Sequence, residues 1–473
     1  MKIILFLFFV AFSFLSRAQT YKVDIIHIND VHAKIDNFGK LSSYIEACKK
    51  ECDTVFVFSA GDLFSGNPIV DQYSYKGYPI IDLMNKTGFL ASAIGNHEFD
   101  YGQEGLNSLA KDASFKFLCL NMNTDNAVFK NYEKKMELNL TNDFHIVVSG
   151  IIHRGKNGIP ESHPDKIKGI LFAKEKKALK NFIKQNNNYD LFILLSHLGL
   201  DKDSVIVKHL NKPDIIIGGH THSIISKTTF YNKTLITQAG DDLDYIGKIS
   251  LEFEGKKLIK KTSELIFTDS ITSDNPKMQH LIDKYNNDEN LLSVINTIAD
   301  SISGLDELGS LMTDAVTSRY GCDVAFQNNG GIRIPKFEQG EVKMKDIYML
   351  DPFGNNVYVY EMNIKQVKSL IRFSYNEKEK SLLQTSGIKY KVLVDNNEKL
   401  KDIIISDYDG NEIEENKILK IGMNSYIAST YKFKYIKQIS ISRASTAELL
   451  IQYIANNNEL NYHKVKRVAV EIR

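Results

Sequence analysis

Cysteine is scarce in this sequence, and neither sign of charge is in excess. The 473 residues include four cysteines, and 59 basic residues stand against 58 acidic ones, which gives a formal net charge of +1. So few cysteines in a chain of this length do not make the disulfide framework of a small secreted domain. Proteins that bind nucleic acid usually carry a clear basic excess, so we expect no nucleic-acid partner, and any recognition of phosphate must be local.

Long apolar runs are also missing, with one exception at the start. Lys2 precedes the apolar segment "IILFLFFVAFSFL", and the following "SRA" has the small-x-small pattern of a cleavage site. The run is too short for a bilayer, so residues 1–18 are predicted to be a signal peptide rather than a membrane anchor. No later segment is predicted to span a membrane. We therefore expect an exported protein, periplasmic or secreted, that begins near Gln19.

The cysteines divide into two kinds. Cys48 and Cys52 end a predicted helix, "KLSSYIEACKKEC", where a disulfide between them is one alternative and two free thiols are the other. Cys119 and Cys322 are predicted to be buried small apolar side chains.

The order of apolar and amphipathic segments predicts the fold. Strand-like runs include "YKVDIIHI", "TVFVFSA", "FHIVVSGII" and "LFILLS", and several are continuously apolar, as are strands covered on both faces. Helical patterns lie between them, which predicts a layered α/β domain over 19–268. A polar stretch over 269–293 is predicted to be a linker helix. A second α/β or α+β domain is predicted over 294–473.

Polar clusters follow five of the predicted strands. Open α/β sheets gather their ligand sites at the carboxyl ends of the strands. Residues two apart at a strand end point to the same side, so Asp30 with His32, and His220 with His222, are each expected to aim at one point. The clusters are formed by Asp30, His32, Asp62, Asn96, His97, Asp100, His197, His220 and His222.

This mixture of carboxylate, imidazole and amide oxygen suits divalent metals such as zinc, manganese or iron. Three or four ligands hold one metal, and the larger number of candidates here favours two metals that share a bridging carboxylate. Asp62, alone in its loop, is the candidate bridge. The other histidines that we weighed are expected to be ordinary core or surface residues: His27, His145, His153, His163 and His280.

The order of these motifs resembles the calcineurin-like metallophosphoesterases: D-x-H, GD, GNHE, a lone His and GH-x-H. "HINDVHA", "GNHEFDYG" and "SHLG" resemble the 5′-nucleotidase/UDP-sugar hydrolase family, and the resemblance continues through "QNNGGIR", "DPFGNNVYVYEM" and "LLQTSGIKY". It implies a four-layer αββα metallophosphoesterase sandwich, joined by the linker helix to a substrate-binding domain. It also implies two divalent metals, zinc or manganese foremost. One metal would be held by Asp30, His32, Asp62 and His222, and the other by Asp62, Asn96, His197 and His220.

The resemblance further implies a small-molecule nucleotide substrate, a nucleoside 5′-monophosphate attacked by a metal-activated water. His97 would stabilise charge on the phosphoryl oxygens or protonate the leaving group, and Asp100 would orient its imidazole. The family's contacts to phosphate and nucleoside map to Asn328, Gly330, Arg333, Phe353, Asn355 and Tyr426, with Phe353 and Tyr426 as the two walls that stack on the base.

Two positions depart from the family's pattern. Gly304 stands where an Arg that clamps the phosphate is expected, and "IASTYKFKY" replaces a Gly-Gly-Asp-Gly turn, with Lys432 near its ribose-binding Asp. The leaving group therefore stays open. The same mechanism would serve a 2′,3′-cyclic-nucleotide phosphodiesterase or a UDP-sugar pyrophosphatase. A nucleotide-binding protein without turnover is a more distant alternative, because all the presumed ligands and the pair of His97 and Asp100 are present.

Overall fold

The computed structural model describes residues 20–140, 143–210, 212–378, 380–457 and 459–472. The predicted signal peptide lies outside these residues. Among the helices within them, none has the length and apolar character needed to cross a bilayer. The chain forms two α/β domains, as predicted.

The strands of the first domain are mostly short. They are β1 (Thr20–Ile28), β2 (Thr54–Ser59), β3 (Ala91–Ala93), β4 (Lys116–Leu118), β5 (Met122–Asn123), β6 (Met136–Asn139), β7 (His145–Ile152), β8 (Leu171–Phe172), β9 (Leu191–His197), β10 (Ile215–Gly218), β11 (Thr229–Tyr231), β12 (Thr234–Thr237), β13 (Tyr245–Glu254) and β14 (Lys257–Phe267). Its helices are α1 (Phe38–Glu51), α2 (Pro68–Asp71), α3 (Tyr78–Thr87), α4 (Gly102–Asp112), α5 (Glu175–Gln185) and α6 (Leu200–Leu210), with short 3₁₀ turns at His97–Phe99 and Pro164–Ile167.

Two six-stranded sheets form the centre of this domain. One has the order β14-β13-β1-β2-β3-β4, in which β1 to β4 are parallel. The other has the order β11-β12-β10-β9-β7-β6, in which β12, β10, β9 and β7 are parallel. The parallel strands leave their carboxyl ends, and the loops that follow, at one edge of each sheet.

The residues of β9 show how the layers are built. Ile193 and Leu195 pack in the core between the two sheets, while Phe192 and Leu194 face the outer helices α5 and α6. Because both faces of the strand are covered, its sequence is continuously apolar, as predicted. Helices α1, α3 and α4 cover the other sheet. The first domain is thus a four-layer αββα sandwich, and this prediction is confirmed.

The segment between the domains is helical and packs on the first domain. A 3₁₀ turn (Thr268–Ser270) precedes α7 (Pro276–Asn286), and α8 (Glu289–Leu292) follows. The side chain of Asn275 caps α7 by accepting hydrogen bonds from the backbone N–H of Lys277 and Met278. Met278 and Ile282 then join the core cluster that contains α1. The boundaries that we predicted for the linker and the domains remain predictions.

The second domain contains two principal sheets with helices around them. Its strands are β15 (Val294–Ile298), β16 (Ile302–Ser303), β17 (Val324–Asn328), β18 (Lys336–Phe337), β19 (Gly340–Lys343), β20 (Asn356–Asn363), β21 (Leu383–Ser386), β22 (Lys389–Val394), β23 (Leu400–Ser406), β24 (Ile418–Asn424), β25 (Lys437–Ser445) and β26 (Val468–Ile472). Its helices are α9 (Gly304–Tyr320), α10 (Met344–Leu350), α11 (Ile364–Glu377), α12 (Ser425–Thr430) and α13 (Thr446–Asn456), and a 3₁₀ turn spans Asn329–Gly331.

The larger sheet of this domain has the order β21-β17-β24-β20-β25, and the smaller one has the order β23-β22-β26. Only β17 and β24 are parallel in the larger sheet, so the domain is of the mixed α+β kind. Helix α11 packs Val367, Leu370 and Ile371 into the core that the two sheets share. The candidate substrate residues lie at the end of β17 and just after it, in the loop before β20, and in α12 after β24.

The cysteines are all free thiols. Cys52 Sγ donates a hydrogen bond to Asp24 Oδ2 at 2.6 Å, and Cys48, a residue of α1, is buried. Of the two alternatives for this pair, the structure shows the unbridged one. Cys119 and Cys322 are buried, as predicted.

Candidate functional site

The seven candidate metal ligands lie together at the carboxyl ends of the parallel strands. They follow or end β1, β2, β3, β9 and β10, so both sheets contribute. Among the described residues, donor atoms of six of these candidates and of His97 form three groups, and within each group all atoms lie within 4.8 Å of one another. These groups are Asp30, His32 and His222; His32, Asp62 and His97; and Asp62, His197 and His220.

Short distances between donor atoms define two adjacent centres. In the first, His222 Nε2 lies 3.3 Å from His32 Nε2 and 3.7 Å from Asp30 Oδ1. In the second, His197 Nε2 lies 3.0 Å from Asp62 Oδ2. Asn96 belongs with this second centre, because its Oδ1 lies 3.1 Å from Nδ1 of His220.

The pairing of His220 with His222 was predicted wrongly. The two side chains do not aim at one point: His222 groups with Asp30 and His32, whereas His220 groups with Asp62 and His197. The alternation of a strand ends at Gly218, and the backbone φ is then +78° at His220 and +51° at His222. A left-handed backbone turns successive side chains in directions that the period of a strand does not describe.

A left-handed backbone is common among the candidate ligands. Non-glycine residues rarely adopt it, because Cβ then crowds the following carbonyl oxygen. Residues held in such conformations cluster at functional sites. Here it is found at five of the seven candidates: Asp30, His32, Asp62, His220 and His222.

His197 tests whether these residues fit a metal. Its Nδ1 lies 2.8 Å from the carbonyl oxygen of Ala60, which fixes a hydrogen on Nδ1 and leaves Nε2 as the nitrogen that can bind a cation. That Nε2 is fully buried, makes no hydrogen bond and faces the carboxylate of Asp62. A buried imidazole nitrogen beside a carboxylate oxygen is the arrangement of two ligands of one cation, so the donor set fits divalent metals.

The protonation tendencies of the cluster follow from burial and from its two carboxylates. Burial lowers the pKa of both His32 and His220 to about 3, so these imidazoles are neutral and can act as ligands. Burial also opposes a charge on His197, but the carboxylates of Asp62 and Asp30 outweigh it and raise its pKa to about 10, so Nε2 would bind a cation in exchange for a proton. Burial opposes ionisation of Asp62, yet the histidines around it hold its pKa well below the usual range. Asp62 is therefore the anionic centre of the cluster.

His97 is held differently from the other histidines. Its Nδ1 lies 2.7 Å from Asp100 Oδ2, and the hydroxyl of Ser65 donates a hydrogen bond to the same carboxylate oxygen. Burial disfavours the imidazolium, but the carboxylates of Asp100 and Asp62 raise the pKa of His97 to about 9. A charged His97 can donate a hydrogen bond or a proton to an anionic oxygen beside the metal ligands.

Glu98 connects two of the ligand loops. Its buried carboxylate accepts hydrogen bonds from the backbone N–H groups of Asp62 at 3.1 Å, Leu63 at 2.7 Å and Gly95 at 2.5 Å. These hydrogen bonds fix the loop that carries Asp62 relative to the loop that carries Asn96. These contacts give Glu98 a structural role.

Two predicted substrate residues reach across from the second domain. The guanidinium carbon of Arg333 lies 5.8 Å from the centroid of the Phe353 ring. That ring stacks on the imidazole of His97, with centroids 6.1 Å apart and planes inclined by 24°. The positive charge of Arg333 also contributes to lowering the pKa of His32, after burial and His97. An anion bound at the candidate ligands would therefore meet a cation from the second domain.

Asn328 ends β17, and Gly330 lies in the 3₁₀ turn that follows. Asn328 is largely buried, and its Oδ1 accepts a hydrogen bond from Asn424 Nδ2 at 2.8 Å. A side chain at Gly330 would meet its nearest neighbour, Asn328 Nδ2, at 3.6 Å, so the backbone of this loop is open to an approaching molecule.

Asn355 and Tyr426 are joined through Ser425. The Ser425 hydroxyl donates to Asn355 Oδ1 at 2.8 Å, which ties the start of α12 to the loop after Phe353. The ammonium group of Lys378 lies 5.6 Å from the centroid of the Tyr426 ring. Tyr426 thus has a cation on one face.

The two departures from the family pattern are visible. Gly304 begins α9 at φ +74°, and no atom lies within 4 Å of the place where its Cβ would stand. A cavity of about 990 Å³ opens there, lined in part by Asn329 and Lys378. Lys432 follows α12 and is exposed. Neither position carries the side chain that the family pattern would place there.

Two further residues, which the sequence analysis had not selected, lie beside the site. Asp241 Oδ2 lies 3.1 Å from His222 Nδ1. The ring centroid of His153, which directly follows β7, lies 5.5 Å from that of His220. The position of His153 at a strand end was a usable signal, whereas the acidic loop of Asp241 carries no motif.

Family models match both halves of the chain. The calcineurin-like phosphoesterase model matches residues 23–223, and the model for the 5′-nucleotidase C-terminal domain matches residues 292–435. The candidate metal ligands fall in the first match, and the predicted substrate residues fall in the second.

Relatives and solved structures agree with these matches. The trifunctional nucleotide phosphoesterase protein YfkN of Bacillus subtilis is 24% identical over 86% of this chain, which spans only 32% of that longer protein. The 5′-nucleotidase of Vibrio cholerae is 26% identical over 74% of this chain and 75% of its own length. The structure of a 5′-nucleotidase precursor from Thermus thermophilus superposes with a TM-score of 0.79 at 19% identity, over 95% of this chain and 99% of that one. This superposition supports the two-domain fold.

Proposed function

Because this chain belongs to the calcineurin-like phosphoesterase family and carries a 5′-nucleotidase C-terminal domain, we propose that it is a metal-dependent phosphoester hydrolase that releases phosphate from nucleoside 5′-monophosphates. The phosphate would bind at the candidate metal ligands of the first domain. The nucleoside would lie against the aromatic side chains of the second.

One observation carries this proposal: two groups of candidate metal ligands adjoin each other, Asp30 with His32 and His222, and Asp62 with His197 and His220, and an Arg and a charged His stand beside them. The groups of Asp62 and of Asp30 lie close enough for a pair of cations, for which zinc and manganese are our candidates. His97 and Arg333 add positive charge around the place where a phosphoryl group would sit.

Each residue has a defined task in the reaction. The cations, when bound, would acidify a water and withdraw charge from the phosphoryl oxygens. Asp62 would hold the two cations together, and Asn96 would supply an amide oxygen. His97 would donate a hydrogen bond to a phosphoryl oxygen or a proton to the leaving oxygen, and Asp100 would keep its Nδ1 hydrogen-bonded so that Nε2 faces the substrate. Arg333 would pair with phosphate oxygens through its planar fork.

A nucleotide is supported as substrate by the aromatic side chains and by the relatives named 5′-nucleotidase. Phe353 and Tyr426 would stack on the base, and Asn328, Gly330 and Asn355 would position the loops that contact phosphate and nucleoside. The assignment of these residues to the substrate is part of the proposal. So is export, which rests on the leader at residues 1–18.

Phosphate release by purified residues 19–473 tests the proposal. AMP, a 2′,3′-cyclic nucleotide and UDP-glucose would be compared with added Mn²⁺ or Zn²⁺, with a chelator as control. His197→Ala removes a candidate ligand, and His280→Ala, an exposed residue on α7, is its matched control.

We expect release from AMP that the chelator stops, that His197→Ala abolishes and that His280→Ala leaves unchanged. Turnover of only the cyclic nucleotide or UDP-glucose would keep the hydrolase and replace its substrate. Release from AMP that survives both the chelator and His197→Ala would contradict the metal-dependent mechanism.

A further inference from the structure

His222 is the most loosely packed of the candidate ligands in the first centre. Its side chain is 36% exposed, whereas Asp30 is fully buried, and so is His197 in the second centre. Packing alone therefore does not fix the orientation of its ring. A ligand histidine in such a position needs a hydrogen bond at its other nitrogen to hold one nitrogen toward the cation.

Asp241 makes that contact. Its Oδ2 lies 3.1 Å from His222 Nδ1, while His222 Nε2 points to Asp30 Oδ1 at 3.7 Å and to His32 Nε2 at 3.3 Å. An ionised carboxylate can only accept a hydrogen bond, so Nδ1 carries the hydrogen and Nε2 keeps its lone pair. The lone pair is thereby directed at the first centre.

The loop that carries Asp241 is anchored on both sides to the end of β1. Asn29 accepts a hydrogen bond from the backbone N–H of Ala239 at 2.8 Å and donates one to the carbonyl of Gly240 at 2.6 Å. The backbone N–H of Asp242 donates to the carbonyl of Asp30 at 2.9 Å. The position of Asp241 is therefore fixed relative to the strand end that carries a candidate ligand.

The loop of His222 is anchored to the same segment. The backbone N–H of Ser223 donates to Gln238 Oε1 at 2.6 Å, and the backbone N–H of Gly240 donates to the carbonyl of Ser223 at 3.1 Å. His222 and Asp241 thus face each other across two loops that are bonded together on either side of them.

We propose that Asp241 is a positioning residue that holds the imidazole of His222 ready to bind the cation of the first centre. The inference rests on the proposed function, since it requires that Asp30, His32 and His222 ligate a metal. Loss of such a carboxylate–histidine contact typically weakens metal binding about 10–100-fold. Asp241 touches neither substrate nor cation, so its effect passes through His222.

Titration with Mn²⁺ alone tests the inference without reference to turnover. The metal-free protein would be titrated with Mn²⁺, and free Mn²⁺ would be counted by electron paramagnetic resonance. Asp241→Ala removes the contact, and Asp241→Asn keeps an oxygen that can accept a hydrogen bond. Asp244→Ala removes an equal charge from an exposed side chain of the same loop and is the matched control.

We expect the wild type to bind two Mn²⁺. In Asp241→Ala, one site should weaken about 10–100-fold and the other should stay as it was. Asp241→Asn should restore part of the affinity, and Asp244→Ala should bind like the wild type. Equal weakening in Asp241→Ala and Asp244→Ala would overturn the inference, because loss of charge alone would then explain both.

A double variant separates positioning from an independent effect. If Asp241 acts through His222, then Asp241→Ala should add nothing in a protein that already carries His222→Ala. Full additivity of the two losses would overturn the inference and leave the proposed function standing. A wild type that binds fewer than two Mn²⁺ would instead contradict the proposed function, and the inference with it.

Discussion

The ring of Phe353 stacks on the ring of His97, with centroids 6.1 Å apart. The two residues belong to different domains, so this contact joins the second domain to the cluster of candidate metal ligands in the first. A second contact lies nearby, where Ser429 Oγ is 3.2 Å from His163 Nε2. The arrangement seen here therefore brings the domains together over the candidate site, and changes in the second domain should be felt at His97.

Replacing Phe353 with Ala should weaken substrate binding, and it should also disturb the position of the His97 ring, on which Phe353 stacks. Stacking of a base on an aromatic ring contributes about 1–3 kcal/mol to binding. We therefore expect KM for AMP to rise by the factor that corresponds to this free energy, and kcat to fall as well. Steady-state kinetics measure both. Phe230→Ala, which removes an exposed ring in the first domain, should change neither constant. A Phe353→Ala enzyme with unaltered KM would show that this ring is not part of the substrate pocket.

Replacing His97 with Ala should reduce turnover while the metals stay bound. General acid–base groups contribute about 10²–10⁴-fold to rate, so kcat should fall within that range. The metal content of the purified variant, measured by plasma emission, should match the wild type. If metal is lost with activity, then His97 is itself a ligand, as its grouping with His32 and Asp62 permits.

Replacing Glu98 with Gln should destabilise the first domain. The carboxylate accepts three backbone hydrogen bonds, and the amide group of Gln would turn donors toward at least one of those N–H groups. A buried unsatisfied group costs about 1–3 kcal/mol, which should appear as a lower free energy of unfolding in urea. Glu104→Gln, at an exposed position of α4, is the control and should leave that free energy unchanged. Equal stability of the two variants would contradict the bracing role.

Asp203 should make the stability of the protein depend on pH. Burial raises the pKa of this carboxyl to about 8, against about 3.9 in an unfolded chain. Between these values the folded state binds more protons than the unfolded state, so the free energy of unfolding falls as pH rises. The stabilisation is complete below about pH 3.9 and is lost as pH passes through about 8.

Asp203→Asn should flatten that dependence. The amide does not ionise, so the variant should lose less stability than the wild type between pH 5 and pH 8, by at most about 1.4 kcal/mol per pH unit. Urea unfolding at several pH values measures the difference. Asp201→Asn, at an exposed position of the same helix, should keep the wild-type slope. Parallel curves for Asp203→Asn and the wild type would show that Asp203 is already ionised in the folded protein.

The parts of the site that could be predicted from the sequence are those that follow from local sequence patterns. The residues around Asp62 and Asn96 each follow an apolar strand, and strand ends of parallel sheets converge whatever the rest of the chain does. The layers of β9 were predictable for a similar reason, because burial on both faces demands a continuously apolar strand.

Contacts between distant segments were not predictable in this way. The partnership of Asp241 with His222 depends on two loops that hydrogen bonds hold side by side, and the stacking of Phe353 on His97 depends on the placement of one domain on another. Helical spacing brings Cys48 and Cys52 close together, yet Cys52 bonds instead to Asp24 on a neighbouring strand. The backbone angles at His220 and His222 could not be read from strand periodicity.

The left-handed backbone at five of the candidate ligands has an energetic cost, and this cost is incurred during folding, before a cation binds. Each such residue costs about 1–2 kcal/mol relative to a relaxed conformation, and the surrounding hydrogen bonds of the loops impose it during folding. An arriving cation then finds a cage that is already formed, and little of its binding energy is consumed in rearranging the chain. The protein therefore trades some of its own stability for preorganisation of the candidate ligands.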